Sequence, residues 1–171
     1  MLTQMRDLTG DDGTVLVGYD LKKDPDILRR AYDDAQGVTA AFNLNLLTRM
    51  NREARAQFDL STFRHVALYN HRPRRIEMHL ESALQQDVPL GDTDIHFYEG
   101  ERIHTESSYK YQPAEFDALA ASAGLRRAGF WTDPAGRFAL ASYTCIEGLH
   151  HLPIERLSQT DRHSLRLVRP G

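Results

Sequence analysis

The chain is predicted to be an α/β protein, and three stretches of its 171 residues predict it. "TVLVGYD", Thr14–Asp20, is a β-branched and nearly continuous apolar run, the composition of a strand buried on both faces. A helix start at Asp24 and Pro25 follows it directly. "QPAEFDALAASAGLRRAGFWTDPAGRFALASY" then reads as helix, glycine stop, strand, tight turn and strand.

In chain order, Asp24 caps the first of these helices, Pro25 takes its first position and Asp26 sits at its positive end. Ile27, Leu28, Ala31 and Ala35 keep helical spacing until Gly37 interrupts. A second helix is expected from about Thr39 to about Glu53, with Phe42, Leu46, Leu47 and Met50 along its inner stripe. The period then changes. "FRHVALYN", "RRIEMHLES", "DIHFYEG" and "RIHTESSYKY" alternate apolar and polar residues between turn-forming breaks, the pattern of antiparallel strands. In the helix that follows, Pro113 opens, Glu115 lies in the first turn, Phe116, Leu119, Ala120 and Ala123 face inward, and Gly124 closes. "DPAG" turns the last two strands back on each other. The segment from Ile146 to Gly171 is weakly periodic, with a short helix expected around Ile154–Ser158 and no assigned role. The length suits one domain, or one domain with part of another.

Composition excludes several function classes. The net charge of −3 offers no basic excess for phosphate neutralisation, and the aromatic residues are not interleaved with basic ones, so no nucleic-acid partner is expected. Cys145 is the lone cysteine, which rules out an intramolecular disulfide, suits a reducing compartment and reads as a small buried hydrophobe. No apolar run approaches the ~20 residues of a membrane span. The opening "MLTQMRDLTGDDG" lacks a basic-then-apolar leader layout. The expectation is a cytoplasmic protein without a membrane partner. The eight histidines form no H-E-x-x-H or Cys/His ligand set, so no metal is expected and most histidines read as surface residues. No G-x-S-x-G nucleophile elbow is present.

"GYDLKKDPDILRRAYDDAQGVTAAFNLNLLTRMNRE", "FRHVALYN", "RIEMHL", "IHTESSYKY" and "WTDPAGRFAL", in this order and spacing, carry a family resemblance. They are similar to the C-terminal half of the histidine-specific, S-adenosylmethionine-dependent methyltransferases, over roughly Leu2 to Tyr143. The resemblance implies the closing part of a class I, Rossmann-like methyltransferase with an inserted α+β substrate-recognition region. It divides the chain into a partial methyltransferase domain, 1–145, and a tail, 146–171. Within that domain, 14–20 and 113–145 would belong to the Rossmann-like sheet and 24–111 to the insertion. The implied reaction is Nα-methylation of L-histidine to trimethylhistidine (hercynine), a step of ergothioneine biosynthesis.

The departures from the family bear on the cofactor. Among eleven glycines no two are spaced as G-x-G, so the loop that lets backbone approach S-adenosylmethionine is absent. The acidic ribose ligand and the family's substrate-binding asparagine fall outside the matching half. The cofactor site is therefore expected mostly in an N-terminal half, and this chain alone is expected not to bind S-adenosylmethionine usefully. The strand Thr14–Asp20 is expected to lack a neighbour on one edge, which invites self-association or docking with a separately encoded half.

On a strand, Glu106 and Ser108 share a face, together with His104 and Lys110. By itself that reads as a solvated polar face. The resemblance instead assigns Glu106 and Ser108 to the substrate imidazole, whose neutral form offers one N–H donor and one acceptor nitrogen. Tyr32 matches the tyrosine that contacts the substrate carboxylate, against the plain reading of a half-buried helix tyrosine. Met78 would pack on the imidazole edge, although Ile76 and Leu80 beside it also make it a core position. Thr39 and Phe42 would line the same pocket. Asp33 and Asp34 read as solvated or capping charges. None of these is a covalent catalyst. The alternatives are a non-catalytic amino-acid-binding module, a fragment without activity of its own, and a same-family enzyme acting on another amine.

Overall fold

A computed structural model describes residues 1–146, and the expected helix at Ile154–Ser158 lies outside them. The described residues form a mixed α/β structure with four helices and three antiparallel sheets. The order is α1 (Leu2–Thr9), β1 (Thr14–Asp20), α2 (Pro25–Tyr32), α3 (Val38–Glu53), β2 (Phe63–Asn70), β3 (Arg75–Ser82), β4 (Gln86–Leu90), β5 (Thr93–Phe97), β6 (Arg102–Tyr109), α4 (Pro113–Ser122), β7 (Leu125–Thr132) and β8 (Phe138–Cys145).

The first sheet runs β1-β8-β7, with β1 at an edge among the described residues. Its inner face packs under α4. Val15 and Tyr19 of β1 join Ala139, Ala141 and Tyr143 of β8 and Phe116, Ala120 and Ala123, and Tyr19 stacks on Phe116 at 4.1 Å between ring centroids. α4 is set by its N-terminus: Pro113 starts it and Glu115 reaches back to the Gln112 amide at 2.9 Å. Two expectations are corrected here. β1 is covered on one face only, because no described element lies over the other, and Leu16 there is 60% exposed. Leu119 also faces out of α4 instead of joining its inner stripe.

The second sheet, β2-β3-β6, carries α2 and α3 on its inner face. Leu28 of α2 packs on Ile76 and Met78 of β3, with Tyr32 and Tyr69 alongside. Leu47 of α3 packs with Phe58, Phe63, Leu80, Val88 and Phe97. α2 starts as expected, with Asp24 Oδ1 accepting from the Asp26 amide at 2.7 Å. It ends at Tyr32, short of Ala35. The third sheet pairs β4 with β5; β4 contains Pro89, which masks its strand character in the sequence.

One irregularity sets which side chains of β6 face inward. Met78 pairs with Glu106, but the next β3 residue, His79, pairs with His104. Thr105 is the extra residue of a β-bulge, and its hydroxyl donates to the Met78 carbonyl at 2.9 Å. The bulge flips the alternation. Ile103 before it and Glu106 and Ser108 after it share the inner face with Leu80, Met78 and Ile76. His104 moves to the outer face with Ser107 and Tyr109, so it does not accompany Glu106 and Ser108 as strict alternation expects.

Candidate functional site

The inner face of β6, the end of α2 and the outer edge of α3 converge on one region. Ser108 Oγ lies 2.7 Å from Tyr32 Oη. Lys110, just past β6, is completely buried, and its Nζ donates to Tyr32 Oη at 2.8 Å, to Ser108 Oγ at 2.7 Å and to Asp20 Oδ2 at 2.8 Å. The three ammonium protons are thereby used. With both hydroxyl oxygens accepting from Lys110, one hydroxyl proton is spent on the other hydroxyl and one remains to donate outward. Burial alone would raise the Asp20 pKa. Hydrogen bonds and charges from Lys110 and Lys23 outweigh that and hold the carboxyl below its ordinary value.

Glu106 lines a cleft of about 200 Å³ with Phe42, Asn43, Leu46, Arg49, Met78 and Thr105. Of the six residues that sequence reasoning singled out, Phe42, Met78 and Glu106 meet in this cleft. Tyr32 and Ser108 meet in the Lys110 cluster beside it. Thr39 does neither: it sits in the first turn of α3, where its amide donates to Asp34 Oδ1 at 2.8 Å. Asp34 caps that helix as expected, and the Thr39 and Val38 hydrogen bonds hold its pKa down at about 2.

The inner stripe expected for α3 is corrected. Asn43 and Leu47 are buried, whereas Phe42 is 66% exposed and Leu46 is also exposed, both turned to the cleft. An apolar pair left facing an open, partly polar cleft suits ligand contact better than core packing.

Sequence reasoning missed four participants. Lys110 was read as a sign of a wet face, but it is the buried hub of the hydroxyl cluster. Its flanks, Tyr109 and Tyr111, gave no signal of that burial. Asp20, its counter-charge, closes an otherwise apolar run. Asn43 and His65 have no sequence signal. The buried Asn43 Nδ2 donates to His65 Nδ1 and to the His79 carbonyl, both at 3.0 Å. His65 Nε2 then carries the proton and donates to the Tyr32 carbonyl at 2.7 Å, fixing the end of α2. His65 and His79 are thus not surface histidines.

S-adenosylmethionine requires a strand-to-helix turn whose backbone can approach the nucleoside closely. The connection from β1 to α2, Leu21–Asp24, contains no glycine, and the described glycines at positive φ lie in turns or helix ends. No described strand-to-helix junction makes a cradle for a nucleotide-like group. Among the described residues, the cleft and the Lys110 cluster therefore lack the glycine-lined turn that such a donor needs.

Comparison with known proteins identifies the family. Residues 1–145 match the family described as "Histidine-specific methyltransferase, SAM-dependent". Over 142 residues, 82% of the chain, it is 46% identical to the histidine N-alpha-methyltransferase of Mycolicibacterium smegmatis and 44% identical to that of Mycobacterium tuberculosis. It is also 29% identical over 137 residues, 79% of the chain, to an L-tryptophan methyltransferase of Psilocybe serbica. The matched region spans 44% of each mycobacterial relative and 38% of the fungal one, so the chain corresponds to less than half of their length. The chain belongs to the S-adenosylmethionine-dependent, histidine-specific methyltransferase family.

Proposed function

We propose that this chain supplies the amino-acid recognition part of an S-adenosylmethionine-dependent N-methyltransferase that methylates the α-amino group of L-histidine to the trimethyl product, in the cytoplasm and in the ergothioneine route. The observation that carries the reading is the pairing of Glu106 and Ser108 on one face of β6 beside the cleft. Two residues apart on a strand, they lie about 7 Å apart. An imidazole with a hydrogen bond at each nitrogen spans that gap. Glu106 accepts from the ring N–H. The outward proton of the Tyr32–Ser108–Lys110 cluster meets the second nitrogen or the substrate carboxylate. Met78 and Phe42 cover the ring. A substrate lacking the imidazole leaves these polar groups unpaired, which is the physical source of selectivity.

S-adenosylmethionine supplies an electrophilic methyl group. This chain's residues need only hold a neutral amine in line with it, so orientation is their contribution. We place the Rossmann-like sheet at 14–20 and 113–145 and the recognition insertion at 24–111. The open edge of β1 is the seam toward an N-terminal, donor-binding half. The fungal relative, named for tryptophan, supports a second reading in which another aromatic amine fills the cleft.

The test uses this chain combined with an N-terminal half from a matching enzyme, assayed for methyl transfer to L-histidine and L-tryptophan. Glu106→Gln is expected to lower kcat/KM for histidine at least ~10-fold with little change in folding. An unchanged histidine rate, or wild-type preference for tryptophan, overturns the histidine assignment.

A further inference from the structure

The outer face of the β2-β3-β6 sheet, across from the cleft, holds a cluster that the substrate site does not use. Glu77 and His79 stand two residues apart on β3, and His104 is the cross-strand partner of His79 on β6. The two imidazoles stack with centroids 4.8 Å apart and planes 25° from parallel. One donor atom from each of Glu77, His79 and His104 lies within 4.8 Å of the others.

Two details separate this group from an ordinary polar patch. The His79 ring is 12% exposed, and its Nδ1 is buried without a hydrogen-bond partner. Its Nε2 looks at Glu77 Oε2 across 3.9 Å, too far for a hydrogen bond. A buried imidazole with neither nitrogen engaged is costly and calls for a missing ligand. The Glu77 carboxylate is also divided. Asn70 Nδ2 at 3.0 Å and Arg75 Nε at 2.7 Å both donate to Oε1, which leaves Oε2 directed at His79. That is how hydrogen bonds beyond the ligands orient a metal-binding carboxylate. Ser107 Oγ and the Glu106 carbonyl, each 3.0 Å from His104 Nε2, orient the second ring.

We propose that Glu77, His79 and His104 form a divalent transition-metal site that takes Zn²⁺ or a similar borderline cation. Two imidazoles and one carboxylate are a donor set for such ions, with positions left for water. Bonds of about 2.0–2.2 Å to a tetrahedral ion put donor atoms roughly 3.4 Å apart, so the ligands close by about an ångström from their present spacing. The exposed His104 side chain can supply that motion by torsion. Arg64 and Arg102 on the same face are both paired with Glu81, and Arg75 is paired with Glu77 itself, which offsets part of their positive charge beside the ion.

The location gives the ion a role. His79–His104 is the last pair before the Thr105 bulge and Met78–Glu106 is the first after it. An ion tying His79 to His104 locks the bulge from behind and so fixes the phase in which Glu106 enters the cleft.

The test is calorimetric titration of the full chain, freed of metal by chelator, with Zn²⁺, and visible absorption with Co²⁺. One equivalent should bind with a tetrahedral Co²⁺ band, and Zn²⁺ should raise the Tm. His104→Ala, at an exposed position, should keep the fold by circular dichroism, weaken Zn²⁺ binding at least ~10-fold and abolish the Tm rise. Glu77→Gln should act in the same direction. A His150→Ala/His151→Ala variant should bind as the wild type does. No Zn²⁺ binding by the wild type, binding indifferent to His104→Ala, or binding lost only with His150 and His151 each overturns the proposal.

Discussion

Lys110 Nζ, fully buried, sits 2.8 Å from Asp20 Oδ2 and joins the end of β1 to the end of β6. The pair links the first sheet to the second at the place where the candidate substrate hydroxyls are held. Parallel backbone contacts run beside it, from the Tyr111 amide to the Asp20 carbonyl at 3.1 Å and from the Lys22 amide to the Tyr111 carbonyl at 3.0 Å.

Removing the lysine charge is therefore expected to cost stability. Lys110→Met leaves Asp20 with Lys23 as its remaining partner and strips two hydroxyls of their donor. Breaking a fully buried pair costs about 3–5 kcal/mol; Asp20 is partly exposed, so about 2–4 kcal/mol is expected. Urea unfolding measures it. Adding Asp20→Asn to Lys110→Met should recover part of the loss, and strict additivity of the two substitutions would show that the pair is not coupled.

Acid should act on the same pair. Asp20 has a folded pKa below its unfolded value of ~3.9, so its contribution is fully present above that value and fades as pH falls through the folded one. Asp34, with a folded pKa of about 2, follows the same sign as its bonds to the Thr39 and Val38 amides are lost. Stability measured from neutral pH down into this range should fall, and should fall less steeply in Asp20→Asn. Equal slopes for variant and wild type would remove Asp20 from the account.

Leu16, Trp131, Phe138 and Leu140 are exposed, and the strand register puts them together on the uncovered face of the first sheet. The edge of β1 is open beside them among the described residues. Such a surface drives association. The isolated chain is expected to associate with increasing concentration in sedimentation velocity, and Trp131→Glu with Leu16→Lys should suppress it. A wild-type chain that stays monomeric at every concentration would refute this.

Local chemistry made much of the fold legible. The start of α2 at Asp24–Pro25, the first turn of α4 and the Asp133 turn are each specified by a few neighbouring residues. Asp133 illustrates it, with its carboxylate accepting from the Ala135, Arg137 and Phe138 amides. β4 escaped notice because Pro89 lies inside it, yet the strand is short and the Pro89 carbonyl still accepts from Gln57 at 2.9 Å. The exposed Phe42 escaped because helical periodicity marks apolar residues without saying whether a core or a cleft receives them. Tyr32, Glu106 and Ser108 were singled out through family likeness. Lys110 was misread because a lysine buried by partners from β1 and α2 looks, in one dimension, like any surface lysine.

The single unpaired residue at Thr105 gives β6 two different parities. Upstream, odd positions point inward; downstream, even ones do. A scan of every substitution along this strand should therefore show its tolerant and intolerant positions trading places at one point. Deleting Thr105 would make His104 and Glu106 neighbours on opposite faces, so the strand would become regular while the acid kept its side of the sheet and only the hydroxyl bond to the Met78 carbonyl was lost.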